Sequence, residues 1–208
     1  MNLTGLLFGV HNFHLPQLLQ LHELRGKPLS GKKLVNLYIL RHASAGTRRT
    51  NPLLDVKRPL DKEGKQQCML VGSFLNTLNL HFDLVVSSPL KRALQTASLV
   101  GTETGYDARI MVSEALAPGA TVAAFEKLLG EIGSNENVLV VGHNPNLAQF
   151  MGAAISSSRM NIRLRKGAVA RVDMARRPGT LHWLVDPRIL RGVYGKVTRS
   201  SRRKTSRK

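Results

Sequence analysis

Short apolar runs, each interrupted by glycine, asparagine, proline or charge, recur along most of this 208-residue chain. Their lengths and their content of valine, leucine and isoleucine are typical of buried strands. They predict six strands, at residues 34–40, 83–87, 109–112, 137–141, 168–174 and 181–185. The first run stops at the polar pair Arg41-His42, and the fourth stops at the polar segment 142–145.

Helical patterns occupy most of the segments between these runs. One helix is predicted to follow Asp61 as its N-cap, and another is predicted at 90–104 with Ser88 as its N-cap. Two more are predicted at 121–129 and 146–155. Strands that alternate with helices predict an α/β fold, a three-layer α/β/α sandwich with a mostly parallel central sheet of about six strands. In such folds ligands bind beyond the carboxyl ends of the strands.

The composition fits one domain with additional segments at its ends. Hydrophobic residues make up 42% of the chain, and no apolar run approaches the roughly 18 residues that a membrane span needs. We expect a partly disordered N-terminal extension at 1–33, one domain at 34–190 and a disordered basic tail at 191–208. The N-terminus lacks the pattern of a signal peptide and the single Cys68 excludes an internal disulfide, so a cytoplasmic location is expected.

The formal net charge of +18 predicts anionic partners. Nine Lys or Arg residues lie between positions 188 and 208. A solvated tail with no specific partner is expected there, and contact with a polyanion is the alternative. Aromatic residues make up only 5% of the chain, and no aromatic-rich nucleic-acid motif is present. A phosphorylated substrate is therefore favoured over nucleic acid as the main partner.

Chemically distinctive residues follow three of the predicted strands. Arg41 and His42 follow the first strand, Arg92 lies one helical turn after the second, and His143 follows the fourth. The planar guanidinium of arginine can donate two hydrogen bonds to the oxygens of one phosphate. A neutral imidazole can attack phosphorus and carry the phosphoryl group. A second imidazole, if protonated, can donate to oxygens that gain charge in the transition state. The four residues together predict a site for phosphoryl transfer.

A general acid is needed when the leaving group is poor. Glu114, just after the third predicted strand, is the first candidate for this role, and Asp61 is the second. Ser44 and Asn144, which flank the two histidine motifs, are expected to contact the substrate.

Three motifs carry a family resemblance. The segment 37–43, which contains Arg41-His42-Ala43, resembles the Arg-His-Gly signature of the histidine phosphatase (phosphoglycerate mutase-like) superfamily. The segments 87–97 and 140–145 resemble its second and third motifs, and the segments 58–61, 114–119, 166–172 and 183–188 are similar to the SixA-type phosphohistidine phosphatases.

The resemblance covers about residues 34–190 and implies a phosphoglycerate mutase-like fold. It implies that His42 is the phosphorylated nucleophile, that Arg41, Arg92 and His143 form the phosphate pocket, and that Glu114 lies where many members place their acid. It implies neither a metal ion nor a cofactor. Ala43 stands where the family has glycine, and its methyl group is expected to narrow the pocket unless the backbone there needs a positive φ.

Protein phosphohistidine is the substrate that the SixA resemblance favours, and a monomer is expected. A phosphatase of small phosphate esters and a mutase of the same superfamily are alternatives. A mutase must retain its intermediate, which favours a lid, and no lid segment is evident between Pro89 and Glu114. The other alternative is a basic protein that binds nucleic acid or polyphosphate and retains only a vestigial site.

Overall fold

The computed structural model describes residues 36–133, 135–156 and 160–194. The expected N-terminal extension lies outside the described residues, and so does the basic tail from residue 195 onward. Residues 187–194 are helical, so the first four residues of the expected tail, 191–194, belong to an ordered element. No helix within the described ranges has the length and apolar character needed to cross a bilayer.

Six strands form one sheet, which confirms the predicted fold class. Their bounds are β1 Asn36–Arg41, β2 Leu84–Ser87, β3 Met111–Val112, β4 Asn137–Gly142, β5 Val169–Asp173 and β6 Thr180–Val185. The strand order is β3-β2-β4-β1-β5-β6. The pairs from β3 to β1 are parallel, while β5 pairs antiparallel with both β1 and β6.

Five described helices connect these strands: α1 Pro52–Val56, α2 Lys62–Thr77, α3 Lys91–Glu103, α4 Val122–Glu131 and α5 Asn146–Ile155. Asp61 caps α2 as predicted, since its side chain accepts from the Gly64 N–H. The predicted cap of α3 is wrong, because Leu90 is its N-cap residue and makes no side-chain cap bond. Helix α1 was not predicted, because five residues are too few to show a helical period.

The alternation of side chains along β1 divides the core into two layers. Leu37 and Ile39 face the layer that includes residues of α4 and α5, and Tyr38 and Leu40 face the layer that includes residues of α2 and α3. Both faces of the sheet are therefore covered, as an α/β/α sandwich requires. Cys68 lies in the second layer as a buried free thiol, and burial raises its pKa to about 12.

Helix α2 approaches the loop after β1 so closely that only glycine fits at position 64. A Cβ atom on Gly64 would lie 1.9 Å from the carbonyl oxygen of Ser44. We expect Gly64→Ala to lower the free energy of unfolding by about 1–3 kcal/mol, as overpacking does, in urea denaturation. Gly130→Ala in α4 is the control, because its Cβ would meet no atom within 4 Å, and alanine there should stabilise the helix by up to about 1 kcal/mol. Equal effects of the two substitutions would contradict this explanation.

Candidate active site

The sheet register brings three strand ends to one place. Arg41 is the β1 partner of Gly142 in β4, and the His42 N–H donates to the Gly142 carbonyl at 3.0 Å. On the other side of β4, Ser87 is the partner of Val141, and the Ser88 N–H donates to the Val141 carbonyl at 2.9 Å. The residues that follow β1, β2 and β4 therefore meet at the carboxyl edge of the parallel strands, where α/β folds bind ligands.

Backbone contacts fix the His42 ring in one orientation. His42 is buried, and its Nδ1 lies 2.8 Å from the carbonyl oxygen of Ala43. A carbonyl oxygen only accepts hydrogen bonds, so Nδ1 carries the proton in the neutral ring. The lone pair of the neutral ring is then on Nε2, which is the atom that could attack an electrophile.

A second buried imidazole lies beside the first. The ring centroids of His42 and His143 are 4.8 Å apart. His143 Nε2 is 2.8 Å from the Ser88 hydroxyl, and its Nδ1 has no partner among the described residues. Ser88, expected as a helix cap, instead holds the second histidine in place.

The two predicted arginines line the same cavity as the two histidines. Arg41 Nη1 donates to the Leu164 carbonyl at 3.0 Å. Arg92 Nη1 donates to the Asp55 carbonyl at 2.9 Å and lies 3.3 Å from the Asp55 carboxylate. The buried Nε atoms of both arginines lack a partner within the described part of the chain. Each guanidinium is anchored on one side and retains donors for an anion.

Burial and the surrounding cations keep both imidazoles uncharged. Burial, and then the charges of Arg92, Arg41 and Lys166, lower the pKa of His42 to about 3, against the opposing effect of its bond to Ala43. Burial also lowers the pKa of His143, and the neighbouring His42 and arginines act in the same direction. A neutral His42 suits a nucleophile. The protonated state expected for His143 needs a bound dianion, whose charge would raise the pKa of His143.

This chain is similar to a known protein family and to several known proteins. A family model described as Histidine phosphatase superfamily (branch 1) matches residues 37–117. A relative from Picosynechococcus, described as an uncharacterized protein, is 32% identical over 139 residues, which are 65% of this chain and 82% of the relative. The chain belongs to the histidine phosphatase superfamily.

Solved structures of histidine phosphatases agree with this assignment. The protein histidine phosphatase SixA complexed with tungstate is 26% identical, with a TM-score of 0.64, and the match covers 75% of this chain and 99% of that one. Phosphoglycerate mutase from Bacillus anthracis has the same fold, at 18% identity and a TM-score of 0.59, over 76% of this chain and 96% of that one.

The cavity in front of the two histidines is wide and positively charged. Its volume is about 1390 Å³. Two acidic residues, Asp55 and Glu114, are outnumbered there by cations, which among the described residues are Arg41, Arg48, Arg49, Arg58, Arg92 and Lys166. An anionic group is therefore attracted to the space in front of the two histidines.

The two candidate acids occupy different places. Glu114 begins a short 3-10 turn, Glu114–Leu116, and its side chain lines the cavity. Asp61 is not among the residues that line the cavity, and its carboxylate accepts hydrogen bonds from Gly64 N, Ser44 Oγ and Gly46 N. Burial alone would raise the pKa of Asp61, but these three bonds lower it overall. Asp61 therefore remains a carboxylate that caps α2, and of the two candidate acids Glu114 is the one that lines the cavity.

The structure separates the two residues expected to bind substrate. Asn144 lines the cavity, and its Nδ2 donates to the Leu164 carbonyl at 2.8 Å. Ser44 does not line the cavity, because its hydroxyl donates to Asp61 at 2.8 Å. Ala43 is fully buried in the α2–α3 layer and its φ is not positive, so its methyl group packs in the core and does not narrow the cavity.

Three further residues of the site were not predicted from the sequence. The Asp55 carboxylate is paired with Arg92 and also accepts a hydrogen bond from Arg58 Nε at 2.8 Å, so it ties α1 to Arg92 in the cavity. Lys166 lines the cavity and acts on His42 through its charge. The segments that contain Arg58 and Lys166 carry the SixA resemblance, which was the available signal for them, whereas nothing in the sequence marked Asp55.

Protein stability is expected to fall in acid because of the buried histidines. In the unfolded chain the His42 side chain has a pKa of about 6.5, and in the folded protein its pKa is lowered to about 3. Because the unfolded state binds the proton first, the free energy of unfolding decreases as the pH falls from about 6.5 to about 3. Each histidine with a lowered pKa decreases the free energy of unfolding by up to about 1.4 kcal/mol for each pH unit in this range. Urea denaturation between pH 7 and pH 5 should show a smaller decrease for His42→Gln than for the wild type. The exposed His81→Gln is the control, and identical pH dependences for the wild type and His42→Gln would contradict the expectation.

Proposed function

We propose that this protein removes the phosphoryl group from phosphohistidine in proteins, through a covalent intermediate on His42 and without a metal ion. The observation that carries the proposal is the pairing of His42 Nδ1 with the Ala43 carbonyl, which leaves Nε2 unprotonated beside His143. The 26% identity to the protein histidine phosphatase SixA, across nearly all of that chain, supports the choice of substrate.

In the first step, the Nε2 lone pair of His42 forms a bond to phosphorus while the bond from phosphorus to the leaving nitrogen breaks. The leaving imidazole takes a proton from Glu114 or from water. Arg41, Arg92 and His143 donate hydrogen bonds to the three remaining phosphoryl oxygens. These donors stabilise charge that would otherwise call for a metal ion.

In the second step, water attacks the phosphorus of phosphorylated His42. The bond from Nε2 to phosphorus breaks, the water gives its proton to the Glu114 carboxylate left by the first step or to solvent water, and orthophosphate leaves. The same three side chains hold the phosphoryl oxygens in both steps, so no rearrangement of the pocket is needed. His42 returns to its neutral state with the proton still on Nδ1.

One observation favours the alternative of small phosphate esters. Glu114 lines the cavity, and an acid at this position is of most use when the leaving group is an alkoxide. A phosphoramidate leaves more readily and needs less help from an acid. The role of Glu114 therefore discriminates between the two substrate classes.

The test compares Glu114→Gln with the wild type on a phosphohistidine protein, a phosphoserine peptide, 3-phosphoglycerate and sugar phosphates. The phosphohistidine protein should be the best substrate, and Glu114→Gln should change its turnover by less than about threefold. Hydrolysis of any ester should fall by about 10²-fold or more, the contribution of a general acid. All reactions should continue in EDTA.

The exposed Glu131→Gln is the matched control, since Glu131 lies at the end of α4 and does not line the cavity. A higher kcat/KM for an ester than for phosphohistidine would contradict the proposed substrate and would favour small phosphate esters. Strict dependence on a divalent metal would contradict the proposed mechanism.

A further inference from the structure

A second cavity lies beside the first and shares two residues with it. Its volume is about 640 Å³, and Arg41 and Asn144 line both cavities. Every other residue that lines it belongs to the segment 161–165, which we call the strap. An elongated substrate whose phosphoryl group lies at Arg41 could therefore extend into this second space.

Contacts to both shared residues fix the strap at Leu164. The Leu164 carbonyl accepts from Arg41 Nη1 at 3.0 Å and from Asn144 Nδ2 at 2.8 Å. The Leu164 side chain is only 1% exposed and packs in the α4–α5 layer of the core. The strap is thus a fixed wall of the second cavity, and its two arginines, Arg163 and Arg165, are held on either side of Leu164.

The charge of the second cavity is of one sign. Three arginines and no Asp or Glu are among the described residues that line it. Arg165 is paired with Asp186, with 3.2 Å between its Nε and a carboxylate oxygen. Arg163 is exposed and forms no ion pair within the described part of the chain. With Arg41 assigned to the phosphoryl group, Arg163 is the cation of this cavity that is available to a second anionic group.

We infer that the second cavity binds a carboxylate side chain close to the phosphohistidine of a protein substrate. The inference rests on the proposed function, since Asp and Glu are the anionic groups that a protein presents beside its phosphohistidine. A guanidinium binds a carboxylate through two parallel hydrogen bonds in one plane, and Arg163 supplies this guanidinium. Arg163 is then a specificity-determining residue that favours acidic segments.

The test uses two phosphohistidine peptides of equal length. One has Glu at the three positions on each side of the phosphohistidine, and the other has Gln at the same positions. The wild-type kcat/KM should be roughly tenfold higher for the Glu peptide, a difference of about 1.4 kcal/mol. The preference should appear mainly in KM and should weaken as salt is raised.

Arg163→Gln should reduce this preference to less than about twofold. Arg176→Gln is the matched control, because Arg176 is exposed in the β5–β6 turn, at the opposite end of β1 from Arg41, and the change removes the same charge. The control should keep the tenfold preference. Hydrolysis of phosphoramidate, which has no flanking group, reports on the reactive cavity alone.

The outcomes separate the two proposals. Equal wild-type rates on the two peptides would overturn the carboxylate site and leave the phosphohistidine function standing. Turnover of phosphoramidate but of neither peptide would overturn both. A parallel fall in phosphoramidate hydrolysis in Arg163→Gln would place its effect in the reactive cavity and would also overturn the inference.

Discussion

His42→Ala is expected to lower kcat/KM by about 10⁴-fold or more on every substrate that the enzyme accepts. Removal of a nucleophile has effects of this order or larger, because the covalent path is lost entirely. The Ala43 carbonyl holds the proton of the His42 ring on Nδ1, which leaves the Nε2 lone pair free to attack. The substitution removes this lone pair, whereas the backbone hydrogen bond from the residue 42 N–H to the Gly142 carbonyl can still form.

The measurement combines steady-state rates with trapping of the intermediate. Substrate carrying a radioactive phosphoryl group should label the wild type with an acid-labile, alkali-stable bond, and His42→Ala should take up no label. His81→Ala is the control, since His81 is exposed and does not line the cavity. Labelling of His42→Ala would show that another residue is the nucleophile, and a loss of its thermal transition would show unfolding.

Local patterns were sufficient to predict the strands and most of the helices. β4 ends one residue beyond its predicted end, and α5 has the predicted bounds, because continuous apolar runs and a helical stripe identify buried elements. The strand ends then placed His42, Arg92 and His143 at one edge of the sheet. What the pattern could not show is which strands are neighbours, and the motif resemblance supplied that information.

The errors concern side chains whose partners are distant in the sequence. Ser88 has the local pattern of a helix cap, yet its hydroxyl lies 2.8 Å from His143, 55 residues away. Ser44 follows the reactive histidine motif, yet its hydroxyl is bound to Asp61. Asp55 holds Arg92 and the Leu164 carbonyl holds Asn144, and both depend on contacts that no local pattern reports.

Burial and the nearby arginines explain how one site combines strong positive charge with uncharged imidazoles. Burial disfavours the protonated form of each histidine, and each nearby arginine adds repulsion. A phosphate dianion reverses the local balance, because it is attracted by the arginines and favours a proton on His143. Substrate binding and the protonation of His143 should therefore be coupled, whereas the nucleophile needs no proton to be removed.

Arg92→Ala is expected to raise the inhibition constants of orthophosphate and tungstate by about 10²–10³-fold and to lower kcat/KM by a similar factor. Removal of one preorganised donor from a developing anion costs about 3–4 kcal/mol. Arg92 is only 5% exposed, so its charge acts at low effective dielectric, and its loss also leaves the Asp55 carboxylate without the partner that lies 3.3 Å away.

Arg92→Lys separates charge from geometry, since lysine keeps the charge but lacks the planar guanidinium, which can donate to a phosphate and to Asp55 at the same time. We expect an intermediate loss for it, and no loss for Lys91→Ala, which removes an exposed cation from the adjacent position of α3. Unchanged inhibition constants in Arg92→Ala would mean that Arg92 serves only to hold α1 through Asp55. An effect of Lys91→Ala as large as that of Arg92→Ala would mean that overall charge, and not a fixed donor, attracts the phosphoryl group.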